Sequence, residues 1–256
     1  MEFFKNILRV IWRLWFYLLF AAMLLIMFPF LLLFAIKEKH YPIFWRLVRI
    51  LSKVLIYGIG FRIDKTIEQK IDRNKSYMFC PNHSSLLDPF ILAVISKNPI
   101  VFIGKKELVK IPVFGFFYKR TVIMVDRNSA KSKKRVYQMA KKRLQNGTSM
   151  GIFPEGLVPT EDVILSPFKK GAFNLAIEYQ IPIVPTTYYD CKRLFSWTVF
   201  KGSPGVFRVK QHAFIETKGM TVKEDMKNVL NQTFDIIHNE LSNDDKYMKD
   251  TNRKNE

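Results

Sequence analysis

The stretch "SYMFCPNHSSLLDPFILAVIS", residues Ser76 to Ser96, gives the first indication of the fold. Its opening residues, SYMFC, are apolar and aromatic, as in a buried strand, and Pro-Asn then marks a turn. The apolar segment from Ser85 to Ser96 predicts a helix. A strand that leads through a short turn into a helix is the building unit of a layered α/β domain.

The same alternation continues along the chain. Short apolar runs predict strands at SYMFC, IVFIG, TVIMVD, TSMGIF, PIVPTTYY and VFRVKQHAFI. Polar–apolar periodicity predicts helices over Ser85–Ser96, Ser129–Asn146, Lys170–Gln180 and Lys223–Leu241. This order favours an α/β layered domain with a mostly parallel or mixed sheet. We assign it to residues 59–242, between an N-terminal membrane-anchoring helical segment, 1–58, and a polar tail, 243–256, that is expected to fray.

The chain is strongly basic. Its 256 residues include 41 Lys and Arg against 22 Asp and Glu, a formal net charge of +19. Such a chain is attracted to anionic surfaces, of which nucleic acid and acidic lipid are the two main kinds. No nucleic-acid-binding motif is readable in the sequence, and the N-terminus favours lipid.

Residues Leu14–Ile36 form an apolar run of 23 residues without a charge. As a helix this run would be roughly 34 Å long at about 1.5 Å per residue, enough to cross a bilayer core of about 30 Å. Basic residues flank both ends, so the positive-inside rule gives no orientation. The following segment, Phe44–Phe61, has the basic amphipathic pattern of an interfacial helix. Two topologies stay open: a single span, and a helix pair bent at Pro29 that dips into one leaflet.

Cys80 and Cys191 are the two cysteines of the chain. They form no disulfide framework and lie in no metal-ligand spacing, which favours a reducing, cytoplasmic location for the globular part. Cys80 is predicted to be a small core residue on a strand. Because the sequence also lacks a Gly-rich nucleotide loop, we expect neither a metal nor a cofactor.

His83 and Asp88 are the first candidates for catalysis. On one helix, positions five apart differ by roughly 140°, so these residues would not share a helical face. If His83 lies in the loop and Asp88 in the first turn, the carboxylate can bind one imidazole nitrogen and leave the other as a base. Taken alone, the pair is better explained by a capping or turn role for Asp88.

Four sequence blocks in a fixed order favour the catalytic interpretation of His83 and Asp88 over the turn role. The blocks are "NHSSLLD", "GKKELVKIPVFGFFYKRTVIMVDR", "FPEG" and "IPIVPTTY". Together they resemble the glycerolipid acyltransferases, in particular the PlsC-like 1-acylglycerol-3-phosphate acyltransferases, whose signature is NHxxxxD. The likeness covers roughly residues 60 to 215.

The resemblance implies direct attack of an acceptor hydroxyl on a thioester. His83 would be the general base and Asp88 would orient it, and we expect backbone amides at the start of the Ser85 helix to stabilise the oxyanion. Asn82, Glu155 and Gly156 would help to bind substrate. Ser84 and Ser85 are not expected to act as nucleophiles, because direct attack needs no acyl-enzyme.

The anionic acceptor needs cations. Arg127 is the first candidate for its phosphate, since its planar fork suits that group, and Lys105 is the second. Many relatives continue FPEG with Thr-Arg-Ser, whereas this chain has LVPTED. Lys169 and Lys170 are candidates to replace the missing arginine.

The function expected from these residues is O-acyl transfer to the sn-2 hydroxyl of lysophosphatidic acid, which gives phosphatidic acid. The donor would be acyl-CoA or acyl carrier protein, and the partners would be membrane lipids rather than nucleic acid. The expected location is the inner membrane, with the catalytic domain on its cytoplasmic face. Two alternatives are another lysolipid acceptor, such as an amino-acid-based lipid, and a non-catalytic module that binds anionic lipid. In "LFSWTVFKG", the aromatic residues Phe195, Trp197 and Phe200 either contact lipid or belong to the core.

Overall fold

Helices and strands alternate along most of the chain. The computed structural model describes residues 2–110, 114–125, 129–160 and 162–252. Its helices are α1 (Glu2–Ala35), α2 (Tyr41–Gly58), α3 (Asp88–Ile95), α4 (Phe114–Thr121), α5 (Ala130–Gln145), α6 (Gly171–Glu178), α7 (Cys191–Leu194), α8 (Val222–Ser242) and α9 (Asp245–Asn252). Short 3-10 turns lie at Glu38–His40 and Lys106–Lys110.

One mixed sheet forms the centre of the molecule. Within the described residues its strands are β1 (Phe61–Ile67), β2 (Met78–Pro81), β3 (Ile100–Lys105), β4 (Val122–Val125), β5 (Ser149–Gly151), β6 (Ile183–Tyr188) and β7 (Gly205–Gln211). Their order across the sheet is β1-β7-β6-β2-β5-β3-β4. Neighbouring strands are parallel except β6 and β7. The predicted α/β architecture with a mostly parallel sheet is confirmed.

The sheet is buried on both faces, as a mostly parallel sheet requires. Along β2 the side chains alternate between two apolar clusters: Met78 and Cys80 pack into one, and Phe79 packs into the other. The prediction that Cys80 is a small core residue on a strand is confirmed, since its side chain is fully buried in β2.

Most predicted elements are present, with shifted ends. Helix α5 begins after Ser129, whose side chain accepts a hydrogen bond from the Ser132 amide, and stops before Gly147, which has a φ of +71°. Ser129 therefore caps α5 and Gly147 follows its end, in agreement with the predicted helix Ser129–Asn146. Strand β1 was not predicted: its sequence, FRIDKTI, carries three charges, on Arg62, Asp64 and Lys65, and lies at the sheet edge beside β7.

Helix α1 packs mainly against α2, and it contacts the α/β domain at positions between Trp12 and Phe28. Pro29 lies inside α1 and does not end it. The buried positions Arg13, Phe16, Met27 and Leu31 recur at helical spacing and join both apolar clusters. The opposite face of α1 exposes large apolar side chains, among them Phe3, Leu8, Leu14, Leu18, Leu25, Ile26, Phe30 and Leu33.

The polar tail is more ordered than expected. Residues 245–252 form α9, and Tyr247 is 5% exposed. Its hydroxyl donates a hydrogen bond to the carbonyl oxygen of Ile164 at 2.9 Å. The expectation of a frayed tail was wrong for these residues, because the Tyr247 side chain of this polar segment is buried and hydrogen-bonded.

Candidate active site

The candidate residues meet at the carboxyl edge of the sheet. Strands β2, β5, β3 and β4 are parallel neighbours, so their carboxyl ends point to the same side. His83 follows β2, and the FPEG turn with Glu155 follows β5. In open α/β sheets this edge is where ligands bind.

His83 and Asp88 form a direct pair. The imidazole Nδ1 lies 2.7 Å from Asp88 Oδ2. The His83 side chain is 21% exposed, whereas that of Asp88 is fully buried. Among the described residues no group is hydrogen-bonded to Nε2 of His83, so the ring presents this nitrogen to the surface of the site.

Asp88 also holds the loop that carries the histidine. The same Oδ2 accepts hydrogen bonds from the amides of Ser84 at 2.6 Å and Ser85 at 2.8 Å. The turn role and the histidine-orienting contact are therefore made by one oxygen. Among the described residues, the other oxygen, Oδ1, is buried without a hydrogen-bond partner.

Two details of the predicted loop need correction. Helix α3 begins at Asp88, with Pro89 in its first turn, and not at Ser85, because residues 84 and 85 turn their amides toward the Asp88 carboxylate. These amides were expected to bind an oxyanion. Since both already donate to Asp88, they are not the free donors that the sequence suggested.

Neither serine is arranged as a nucleophile. The Ser85 hydroxyl donates to the carbonyl oxygen of Phe195 at 2.9 Å and accepts from the Leu87 amide at 3.2 Å. Ser84 is 3% exposed, and its hydroxyl has no partner among the described residues. The hydrogen bonds of His83 run to Asp88 and Glu155, not to either serine hydroxyl.

Glu155 stabilises the loop that carries His83 through hydrogen bonds to backbone amides. Its Oε1 accepts the backbone amide of His83 at 2.6 Å, and its Oε2 accepts the amide of Ser166 at 2.8 Å. Burial raises the pKa of the Glu155 carboxyl to about 7, although the two amide hydrogen bonds oppose this shift. Gly156 follows with a φ of +74°, a conformation that favours glycine at this turn.

A stack of aromatic rings supports the imidazole. The His83 ring lies 4.3 Å from the Phe153 ring with an angle of 23° between them, and Phe153 lies parallel to Phe102 at 6.3 Å. Phe153 is the first residue of FPEG, but no role for it was predicted from the sequence. Its place in the motif was the available signal.

Asn82 connects the strand before the loop to β6. Its side-chain amide donates to the Tyr188 carbonyl at 3.1 Å, and its Oδ1 accepts the Tyr188 amide at 2.7 Å. The side chain is therefore engaged at both ends, and Asn82 is 2% exposed. These contacts hold the loop in place, and the predicted role of Asn82 in substrate binding stays a prediction.

The predicted cationic residues are described only in part. Arg127 lies outside the described residues. Lys105 is the last residue of β3, and its side chain is likewise outside the described part of the structure. Lys169 and Lys170 are exposed at the start of α6, where the Lys169 amide donates to the Pro154 carbonyl at 2.9 Å. A phosphate-binding role for any of them stays a prediction.

Metal ligands are not grouped in the part of the chain that the structure describes. No three His, Cys, Asp or Glu side chains there are placed to hold an ion. Both cysteines are free and buried. Burial, and after it the charge of Asp88, raises the pKa of the Cys191 thiol. The expectation that the protein needs no metal or cofactor stays a prediction.

Known proteins share both the sequence pattern and the fold. A family profile described as Acyltransferase matches residues 62–189. The chain is 27% identical over 171 residues to the 1-acyl-sn-glycerol-3-phosphate acyltransferase of Borreliella burgdorferi, a match that covers 66% of this chain and 68% of that protein. It is also 27% identical over 170 residues to the human 1-acyl-sn-glycerol-3-phosphate acyltransferase beta, covering 66% and 61%.

A solved structure has the same architecture. The crystal structure of the 1-acyl-sn-glycerophosphate (LPA) acyltransferase PlsC from Thermotoga maritima superposes with a TM-score of 0.75, covering 95% of this chain and 99% of that one. The two sequences are 20% identical, so this likeness concerns the fold. With the profile spanning β1 to β6 and the His83–Asp88 pair formed, the chain is an acyltransferase of the PlsC-like family.

Proposed function

We propose that this acyltransferase transfers a fatty acyl group from a thioester to the sn-2 hydroxyl of lysophosphatidic acid. The observation that carries the proposal is the 2.7 Å contact between His83 Nδ1 and a fully buried carboxylate, which leaves Nε2 as the open ring nitrogen. The relatives named above act on 1-acyl-sn-glycerol-3-phosphate according to their names, and this supports the choice of acceptor.

The proposed reaction is a direct displacement. As the acceptor oxygen attacks the thioester carbonyl, His83 Nε2 takes the hydroxyl proton, a contribution of about 10²–10⁴-fold in rate. The C–O bond forms, and the tetrahedral intermediate collapses with cleavage of the C–S bond. The departing thiolate then takes the proton from His83, which restores the neutral imidazole.

Asp88 would act in this reaction through His83. Its carboxylate accepts from Nδ1 and stabilises the imidazolium that forms during attack. Glu155 would act one step further away, because its contacts are to the backbone of His83 and Ser166. We expect Glu155 and Gly156 to influence acceptor binding by fixing the shape of the FPEG turn.

The protein would work at a membrane surface. Within the described residues, one helix, α1, is long and apolar enough to cross a bilayer, with a mean hydropathy of 2.8 in its most apolar window. Since one face of α1 packs on α2 and on the α/β domain between Arg13 and Leu31, we favour the one-leaflet topology over the single span. We further propose that the membrane is the inner membrane and that the catalytic domain lies on its cytoplasmic face.

Another lysolipid acceptor is the second candidate, and one feature of the sequence favours it. The segment after FPEG reads LVPTED, where many relatives carry an arginine. In the structure this segment brings Asp162, not a cation, to the protein surface. An acceptor with a less acidic head group would tolerate that change better than lysophosphatidic acid.

A panel of acceptors tests the proposal. The purified chain would be supplied with acyl-CoA or acyl carrier protein donors and with lysophosphatidic acid, lysophosphatidylcholine or an amino-acid lysolipid. We expect the highest kcat/KM with lysophosphatidic acid and near-complete loss in His83→Ala. Preference for a neutral or amino-acid lysolipid would reject the proposed acceptor, and absence of transfer to all acceptors would favour a non-catalytic lipid-binding module.

A further inference from the structure

One surface loop exposes several large apolar side chains together. It comprises residues 196–201, SWTVFK, between α7 and β7. Trp197 is 57% exposed, Val199 48% and Phe200 54%. A short loop with two exposed aromatic rings and a β-branched residue is the kind of patch that marks an interaction site.

This loop is held in a defined shape. Its Lys201 amide donates to the Thr198 carbonyl at 3.0 Å, which closes a tight turn. The Ser203 amide donates to the Leu194 carbonyl at 3.1 Å and closes the base. Gly202, with a φ of +111°, allows this closure, because a Cβ there would lie 2.4 Å from the Leu194 carbonyl oxygen. The apolar side chains are therefore displayed by an ordered loop.

Arg13 of α1 joins the loop to the anchor helix. The guanidinium Nη2 donates to the carbonyl oxygens of Ser196 at 2.5 Å, Thr198 at 3.4 Å and Lys201 at 2.9 Å. Its Cζ also lies 4.0 Å above the Phe195 ring. Arg13 is 6% exposed, so its guanidinium binds the loop carbonyls and does not face solvent.

Apolar contacts reinforce the same junction. Phe195, at the base of the loop, is 2% exposed and packs edge-on against Trp12 at 5.5 Å and Phe16 at 4.9 Å. On the outer side of the same helical turns, Ile11 is 56% exposed and Leu14 61%. The helical turns of α1 that pack on the base of the loop therefore also carry exposed apolar side chains.

From this junction with α1 and the exposed apolar side chains on both elements, we propose that residues 196–201 form a second lipid-contacting element, whose Trp197, Val199 and Phe200 enter the interface of the same leaflet that receives α1. The inference rests on the proposed membrane attachment through α1. Tryptophan and phenylalanine suit this depth, since apolar rings gain by leaving water and an indole N–H can still reach a polar partner. A basic residue, Lys201, ends the loop, where it would face the head groups of acidic lipids.

The loop would also set the height of the active site above the leaflet. The Ser85 hydroxyl, two residues after the proposed base, donates to the Phe195 carbonyl at 2.9 Å. A continuous path therefore runs from the His83 loop through Phe195 and the 196–201 loop to Arg13 in α1. With two lipid contacts instead of one, the domain would be prevented from rotating about α1, and His83 would keep one depth relative to the lysolipid hydroxyl.

A depth measurement tests the contact directly. Val199→Cys in the full-length chain would be labelled with an environment-sensitive fluorophore, since the native cysteines are buried. The matched control is Ile67→Cys at the far end of β1, which is 40% exposed. In vesicles of dibrominated phosphatidylcholine with phosphatidylglycerol, we expect a blue shift and quenching at position 199 and neither at position 67. A label at 199 that remains in water would overturn the proposal.

The same vesicles test the functional consequence. We expect the double variant Trp197→Ser with Phe200→Ser to bind them about tenfold more weakly, equivalent to about 1.4 kcal/mol, and to lose transfer to vesicle-bound lysolipid. Transfer to a short-chain, monomeric lysolipid should stay unchanged, as should both activities in Ile67→Ser. Equal losses on both acceptors would assign the two side chains a structural role. Because the fluorescence readout needs no turnover, it decides the loop's role even if the proposed acceptor is wrong.

Discussion

Replacing Asp88 by asparagine separates the charge of this residue from its shape. One carboxylate oxygen, Oδ2, accepts from His83 Nδ1 and from the amides of Ser84 and Ser85 at 2.6–2.8 Å, while Oδ1 has no hydrogen-bond partner among the described residues. The amide of Asp88→Asn can therefore keep its oxygen at the position of Oδ2 and place its NH₂ group at that of Oδ1. The loop and the imidazole orientation should persist, and the negative charge should be lost.

The magnitude follows from the separation of the charges. In the proposed attack, an imidazolium would form with its charge roughly 4 Å from the centre of a buried carboxylate, a pair worth about 4 kcal/mol at an effective dielectric constant of about 20. Loss of this term predicts a fall in kcat of about 10³-fold, since each 1.36 kcal/mol is about tenfold in rate. The free energy of unfolding should change far less. In Asp88→Ala, by contrast, three donors lose their acceptor, at a cost of about 1–3 kcal/mol each.

The assay needs rate and stability on the same samples. Release of the CoA thiol gives kcat for each variant, and denaturant unfolding in detergent gives the free energy. Asp72→Asn is the matched control, because this exposed carboxylate accepts only the nearby Asn74 amide among the described residues. If Asp88→Asn kept a rate within an order of magnitude of the parent's, Asp88 would serve the loop alone and the reasoning about the imidazolium would be refuted.

Three further substitutions test other parts of the site. His83→Ala should lower kcat by about 10²–10⁴-fold and leave vesicle binding intact; a near-normal rate in purified protein would remove His83 as the base. Burial raises the pKa of Glu155 to about 7, so the native state binds its proton more tightly than the unfolded state does. The free energy of unfolding should therefore fall by about 3 kcal/mol as the pH rises from about 4.5 to about 7. Denaturant unfolding of Glu155→Gln should show a flatter dependence of this free energy on pH, and an unchanged dependence would contradict the raised pKa of Glu155. Arg127→Ala should raise KM for lysophosphatidic acid by the equivalent of about 2–5 kcal/mol, with partial rescue in Arg127→Lys; equal losses with a neutral acceptor would make Arg127 structural.

The sequence predicted the sheet better than the detail of the site. The strands with continuous apolar runs, such as β6, were found because burial on both faces leaves an unmistakable pattern. Strand β1 was missed because its exposed edge position permits three charged residues among seven. The pairing of His83 with Asp88 followed from the spacing and the family resemblance. Glu155's two amide contacts did not, since they join segments 72 and 11 residues apart in the chain.

The loop amides show why local patterns stop short of mechanism. An N-terminal helix turn is a ready donor site, and the sequence from Ser85 onward is apolar enough to be taken for one. In the structure Asp88 folds back and takes the amides of Ser84 and Ser85 itself. Whether a backbone amide is free to bind an oxyanion depends on whether a side-chain acceptor such as Asp88 already binds it. The folded positions of both groups determine this, and local sequence patterns do not show it.

The packing of α1 bears on where the reaction would take place. The apolar run of 23 residues, Leu14–Ile36, has the length of a span, but length does not show which faces meet lipid. In the structure the face from Arg13 to Leu31, roughly 27 Å at about 1.5 Å per residue, packs on α2 and on the domain. If α1 crossed the bilayer, this face would leave the domain, and Phe16 and Met27 would lose their partners. A helix covered on one side and apolar on the other is suited to lie along one leaflet. In that arrangement the loop that carries His83 would keep a fixed position relative to the leaflet, because it is tied through Phe195 to the same helix.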